Sequence, residues 1–216
     1  MTEQALRARG ILFAVFILPL FLYFLFAFFS TPSFSSVPKQ YKISTTGDTT
    51  FFSISNLPLV DQEGNVFNLQ DFKGKITLLS FMTERDTLIT KIVNAHLQFV
   101  FENFKEGSNL SVLTINLDST SLSNYAASRE LDQIGWTFAH GDPEEIYAVA
   151  KDKIGIEDYQ NKDFNLPLTA RQIALVDKDG LVRKYYAGTD LAIYKNINED
   201  LRTLLRLEYP EELGRR

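Results

Sequence analysis

The side chains able to do chemistry are few. The 216 residues hold no Cys, 2 His and 2 Met. Thiolates supply the soft metal ligand and the sulfur nucleophile. Their absence excludes disulfides, Cys-ligated zinc, iron–sulfur clusters and thiol redox chemistry within this chain. His96 and His140 show neither an HxH nor an HxxxH spacing and read as packed or hydrogen-bonded side chains; no metal or cofactor is expected. Carboxylates gather at Glu84 and Asp86, and at Asp118 beside Ser119 and Thr120. Acid–base work would require a partner with a shifted pKa, and no sequence feature marks one. Asp86 and Asp118 read instead as capping or turn residues. Arg85 sits where a helix is expected to begin, and there a cation opposes the helix dipole by roughly 0.3–1 kcal/mol. Two readings follow: Arg85 reaches a partner carboxylate or a lipid phosphate, or it is solvated and paired with Glu84 or Asp86. No Gly-x-Ser-x-Gly, Walker or dinucleotide-binding motif is present. A net charge of −5 and a pI near 5.1 argue against nucleic-acid partners, which need clustered Lys and Arg.

The elements that must position these residues begin after an apolar segment. Residues 11–29 carry no charge and as a helix would span about 28 Å, close to the thickness of a bilayer's hydrocarbon core. A single transmembrane helix is expected there. Arg7 and Arg9 precede it, and only Lys39 follows as far as residue 41. The positive-inside rule then leaves residues 1–10 in the cytoplasm and the remaining domain in the periplasm, attached to the inner membrane. A cleaved signal peptide fits less well, because its apolar core is shorter and is followed by small residues. Residues 30–50, rich in Ser, Thr and Pro, read as a linker.

Beyond it, residues 51–55 and 66–69 are strand-like around the turn residues 61–65. The run 76–82 lacks alternation, as a strand buried on both faces does. Helical periodicity covers 86–104. Strand and helix then alternate: strands at 111–117 and 136–140, helices at 122–131 and 143–154. A hairpin at 173–176 and 182–186 precedes a closing helix at 191–205, with Tyr194, Ile197, Leu201, Leu204 and Leu205 inward. This order implies an α/β domain at 51–207, a mixed sheet with helices on both faces, and a tail at 208–216. On the helix 86–104, Leu88, Ile92 and Phe99 form one apolar side, with Ile89, Val93, Val100 and Phe104 beside it. Leu97 and Phe101 fall on the far side. Apolar side chains thus cover about 240°, against the somewhat more than 100° that a surface helix buries. Leu97 and Phe101, with Arg85, become candidate partner contacts, covered either by the N-terminal extension or by another protein.

Several short segments carry a family resemblance in their order. They are Asp71-Phe72-Lys73-Gly74-Lys75 before the buried strand, Phe81-Met82-Thr83 at its end, Asn116-Leu117-Asp118, Trp136 with Gly141, and Leu175-Val176-Asp177-Lys178-Asp179-Gly180 followed by Tyr186-Ala187-Gly188. Over residues 51–206 the chain resembles the Sco/SenC family of copper-handling proteins, which implies a thioredoxin-like fold and an extracytoplasmic, membrane-anchored domain. The resemblance also implies a Cys-x-x-x-Cys loop after the Phe-x-Thr strand end and a His before the Leu-Val-Asp strand. The corresponding positions here are Arg85, Ile89 and Thr169. Arginine is a permanently charged donor and isoleucine has no donor atom, so copper chemistry at this site is lost. The expectation is a non-catalytic, degenerate member serving as accessory subunit or assembly factor of a membrane complex, with a respiratory oxidase as the leading partner by analogy. The alternative is a new ligand or catalytic site in the same cleft, using Arg85, Glu84, Asp118 or Thr169.

Overall fold

The computed structural model describes residues 17–29, 36–83, 87–104, 109–118, 135–156, 171–190 and 192–211. The chain divides into two units, residues 1–35 and 36–216. In the first, α1 (Leu18–Phe29) is a 12-residue apolar helix, about 18 Å long at 1.5 Å per residue. No helix among the described residues is long and apolar enough to cross a membrane. The expected span is therefore not shown; its residues 11–16 lie outside the described ones.

The second unit is built on a seven-stranded sheet. Its strands are β3 (Pro58–Asp61), β4 (Val66–Asn68), β5 (Ile76–Met82), β6 (Leu110–Asn116), β7 (Trp136–His140), β8 (Gln172–Val176) and β9 (Val182–Ala187), in the spatial order β4-β3-β7-β6-β5-β8-β9. The three inner pairings divide by direction. β5 runs parallel to β6 and β6 to β7, whereas β8 joins β5 antiparallel. Parallel neighbours need a crossover, and α2 (Thr87–Glu102) makes it between β5 and β6. Every residue of β5 and β6 is buried, as the unalternating run at 76–82 predicted. The hydroxyls within them are satisfied across the ladder: Thr77 with Ser111, and Ser80 with Thr114, each at 2.9 Å. Trp136 Nε1 donates to Thr114 Oγ1 at 3.2 Å.

One face of the sheet, through Leu78, Val112, Trp136 and Leu175, packs on α2 and α4 (Ile193–Glu208). The other, through Phe81, Ile115, Ala174 and Val176, packs on α3 (Pro143–Val149), its π-helical continuation Ala150–Ile154, and segments near Ile54 and Leu69. The expected layering is thus present. The helix expected at 122–131 lies outside the described residues.

Five expectations are corrected. The first hairpin is β3–β4, not 51–55 with 66–69, although the turn at 61–65 is where it was placed. Within that turn, burial alone would raise the Asp61 carboxyl. Hydrogen bonds from the Asn65 side chain and from the N–H groups of Asn65, Glu63 and Gly64 outweigh it and hold the group below its ordinary value. Secondly, residues 36–50 are not a loose linker. Val37 is buried in the core, and Gln40 is hydrogen-bonded through its N–H to the Val182 carbonyl at 2.8 Å. Residues 41–51 form a separate hairpin of β1 (Tyr41–Ile43) and β2 (Thr49–Phe51). Thirdly, Glu208 and Tyr209 belong to the domain rather than to a tail, since the Glu208 carboxylate accepts from the Lys178 N–H at 3.1 Å and the Tyr209 hydroxyl donates to the Gly74 carbonyl at 2.5 Å.

The fourth correction concerns α2. Its inward arc is Thr90, Val93, Asn94, Leu97, Val100 and Phe101, so Leu97 is 0% and Phe101 3% exposed, while Leu88 and Phe99 are outermost at 66% and 52%. Leu97 and Phe101 are core side chains and are withdrawn as partner contacts; the Phe101 ring meets Trp136 edge-on at 6.1 Å. An apolar arc this wide does not set its own rotational phase, and the opposing sheet and α4 do. Fifthly, Tyr194 is not inward on α4. It is 43% exposed and stacks edge-on against Phe99 at 5.4 Å, while Ile193 takes the buried position.

Candidate functional site

The carboxyl ends of β5 and β6 meet the start of α2 at the sheet edge where α/β folds commonly place ligands. Backbone pairing continues one step past the strands, with the Leu117 N–H donating to the Met82 carbonyl at 2.9 Å. This brings Thr83 and Asp118 together. The Thr83 hydroxyl donates to Asp118 Oδ2 at 2.9 Å, and the Asp118 N–H donates to Asn116 Oδ1 at 3.1 Å. From the first turns of α2, Thr90 Oγ1 donates to the Thr83 carbonyl at 3.0 Å. Thr83 and Thr90 are 2% and 3% exposed. These bonds clamp two strand ends to the crossover helix, and their chemistry is that of hydroxyl, amide and carboxylate. Asp118 therefore serves the β5–β6 junction, a role its expected cap or turn function did not specify. Thr90 was missed because a lone Thr within an apolar helical run carries no signal of its own.

Ile89, at the second thiolate position implied by the Sco/SenC resemblance, is half-buried and packs against the core beneath α2 and α4. Arg85, Glu84, Asp86 and Thr169 lie outside the described residues. A copper ion bound by two thiolates and an imidazole does not fit this chain, which holds no cysteine and carries at Ile89 a hydrocarbon side chain with no donor atom. His96, midway along α2, hydrogen-bonds through Nδ1 to the Gly188 carbonyl at 2.9 Å. That matches the reading of a hydrogen-bonded histidine. His140 closes β7, opposite Val60 of β3. Among the described residues no group of three or more His, Asp and Glu is placed to hold a metal ion.

A second polar cluster lies on the far side of the domain. Asp177 is 1% exposed; its Oδ1 accepts from the N–H groups of Asp179 and Leu181 at 3.0 and 2.8 Å, and its Oδ2 pairs with Arg183 Nε at 2.8 Å. Arg183 also reaches Glu208 at 3.4 Å and donates to the Val37 carbonyl at 3.0 Å. It ties the β8–β9 turn to the end of α4 and to the N-terminal arm. Nearby, the Tyr186 hydroxyl donates to Asp200 Oδ2 at 2.7 Å, which Lys184 Nζ also meets at 2.7 Å. Burial, then that hydrogen bond and the carboxylate's charge, push the Tyr186 phenol well above its ordinary value. Both clusters are structural ties.

Comparisons with known proteins agree with this geometry. The Sco protein BsSco, described as a member of a family of cytochrome c oxidase assembly proteins, superposes with a TM-score of 0.61 at 22% identity, covering 74% of this chain and 98% of that one. A SCO1/SenC family lipoprotein from Bacillus anthracis gives 0.55 at 21% identity, covering 71% and 95%. Copper-bound ScoI from Bradyrhizobium japonicum gives 0.55 at 21% identity, covering 71% and 99%. These likenesses show a thioredoxin-like fold shared with Sco/SenC family structures, here in a chain without cysteine. No curated protein matches the sequence. Residues 52–185, more than half of the chain, match the sequence profile of the AhpC/TSA family, and the chain belongs to that family.

Proposed function

We propose that this chain is a membrane-anchored, non-catalytic member of its fold family, acting as an accessory subunit or assembly factor of a membrane protein complex. The observation that carries the reading is a complete thioredoxin-type sheet in a chain with no cysteine, so that the scaffold has outlived thiol chemistry. The printed description of BsSco as belonging to a family of cytochrome c oxidase assembly proteins makes a respiratory oxidase the leading partner. Residues 11–29 supply the anchor, with residues 1–10 in the cytoplasm and the domain in the periplasm, on the charge asymmetry of the flanks. The test is affinity purification of the tagged full-length chain from its native membrane in mild detergent, with mass spectrometry and metal analysis. Recovery of a stoichiometric membrane complex, with no metal attributable to this chain, is the expected result. A lone monomer would overturn it.

A second reading places a ligand or catalytic site at the β5–β6 edge, favoured by the Asp118 carboxylate held there. Replacing Arg85 and Glu84 together should then abolish function while folding and complex formation survive.

A further inference from the structure

Every residue of β1 and β2 is exposed, and the hairpin carries its apolar side chains on the face turned away from the domain. Antiparallel register pairs Tyr41 with Phe51 and Ile43 with Thr49, so these four share one face, while Lys42 and Thr50 share the other. A hairpin resting on a domain ordinarily turns its apolar side inward. Here Lys42 faces the domain: its Nζ lies 3.4 Å from the Asp152 carbonyl oxygen and 5.9 Å from the centre of the Phe52 ring. The outward face carries Tyr41, Ile43 and Phe51, exposed by 54%, 65% and 48%. Tyr41 and Phe51 stack edge-on at 6.2 Å, which fixes them as one apolar surface.

The hairpin is tied by hydrogen bonds at its tip and at its base. At its tip the Gly47 N–H donates to the Ser44 carbonyl at 2.9 Å and the Ser44 N–H to the Asp48 carbonyl at 2.8 Å; Gly47 takes the left-handed φ of 87° that this turn needs. At its base the Phe52 N–H bonds to the Gln40 carbonyl at 3.0 Å, the Val182 N–H to the Phe52 carbonyl at 2.9 Å, and Gln40 Nε2 to the Arg183 carbonyl at 3.0 Å. An apolar patch this well supported implies an occupant.

Three features of the hairpin and its flank point to lipid. The hairpin begins at Tyr41, twelve residues beyond the apolar segment that ends at Phe29. Its outward side chains are a tyrosine, a phenylalanine, an isoleucine and one threonine, a mixture found where a protein meets the headgroup layer. The exposed Lys39 beside it suits anionic headgroups. We infer that the Tyr41–Ile43–Phe51 face of the hairpin inserts into the headgroup–acyl boundary of an anionic bilayer. The proposed membrane anchor underlies this placement, and the hairpin would hold the domain against the membrane in a set orientation.

The lack of cysteine allows a direct test. Full-length variants Ile43→Cys, Val66→Cys and Leu22→Cys, each carrying one nitroxide label, are reconstituted into vesicles of phosphatidylethanolamine and phosphatidylglycerol. Collision with oxygen, which partitions into lipid, is compared with collision with a water-soluble nickel chelate. Val66, 76% exposed on the sheet edge opposite β9, is the aqueous reference. The expected result is an oxygen-to-nickel collision ratio at Ile43→Cys several-fold above that at Val66→Cys. Equal ratios, with Leu22→Cys in lipid, overturn the hairpin inference and leave the anchor. Low collision with both reagents at Ile43→Cys means that protein covers the face, and also overturns it. A water-exposed Leu22→Cys overturns the anchor reading alone, and Ile43→Cys then decides the hairpin by itself.

Discussion

At the scale of single residues, several of the polar side chains buried in this protein are matched by specific partners, and their removal should be costly. Asp177→Ala would leave Arg183, only 13% exposed, without its closest carboxylate and strip two N–H groups of their acceptor. The expected loss is about 3 kcal/mol, measured by urea unfolding. Tyr186 makes a pH prediction. Its folded-state pKa lies above the unfolded value of 10.0, so the stability it contributes is complete below pH 10.0 and is lost as pH rises beyond it, where only the unfolded chain ionises. Unfolding free energy followed upward from neutral pH should fall above that point. Tyr186→Phe should show a shallower fall.

At the scale of elements, α2 decides most. It crosses from β5 to β6, carries Thr90 to the Thr83 carbonyl and presents His96 to Gly188. Its rotational phase can be checked by stability alone. Leu97→Ala should cost about 2–5 kcal/mol, as a fully buried leucine does, whereas Leu88→Ala, at a 66% exposed position, should change stability by under about 0.5 kcal/mol. The reverse ranking would restore the phase read from the helical wheel. The contact between α2 and the end of β9 is equally close. A Cβ at Gly188 would lie 2.8 Å from Val93 Cγ2 and 3.0 Å from the Arg171 carbonyl oxygen. Gly188→Ala should therefore destabilise the fold by about 1–3 kcal/mol, seen as a lowered unfolding midpoint.

At the scale of the whole molecule, a thioredoxin-type sheet is present in a chain that holds no cysteine. The positions implied by the Sco/SenC resemblance predict that Arg85→Cys, Ile89→Cys and Thr169→His introduced together confer binding of one copper ion. Any two without the third should bind it far more weakly. Copper titration followed by absorbance would decide, and failure of the triple variant would show that these positions do not converge.

The order of strands and helices from residue 76 onward, the helix expected at 122–131 aside, was legible in the sequence, as were the doubly buried run at 76–82, the turns at 61–65 and 177–180, the lack of cysteine and the family resemblance. Each depends on local signals: periodicity, turn chemistry, or the presence of a residue type. The phase of α2, the docking of residues 36–40 along β9, the Arg183 junction and the Thr83–Asp118 bond were decided by tertiary structure. Each joins residues that the chain separates widely, such as Val37 with Arg183 or Thr83 with Asp118. A helix apolar over about 240° has several nearly equivalent inward faces, and only the surfaces it meets select one. The hairpin β1–β2 shows the same limit, because alternation in Tyr41–Ile43 marks two faces and only the position of Asp152 and Phe52 shows which one is turned inward.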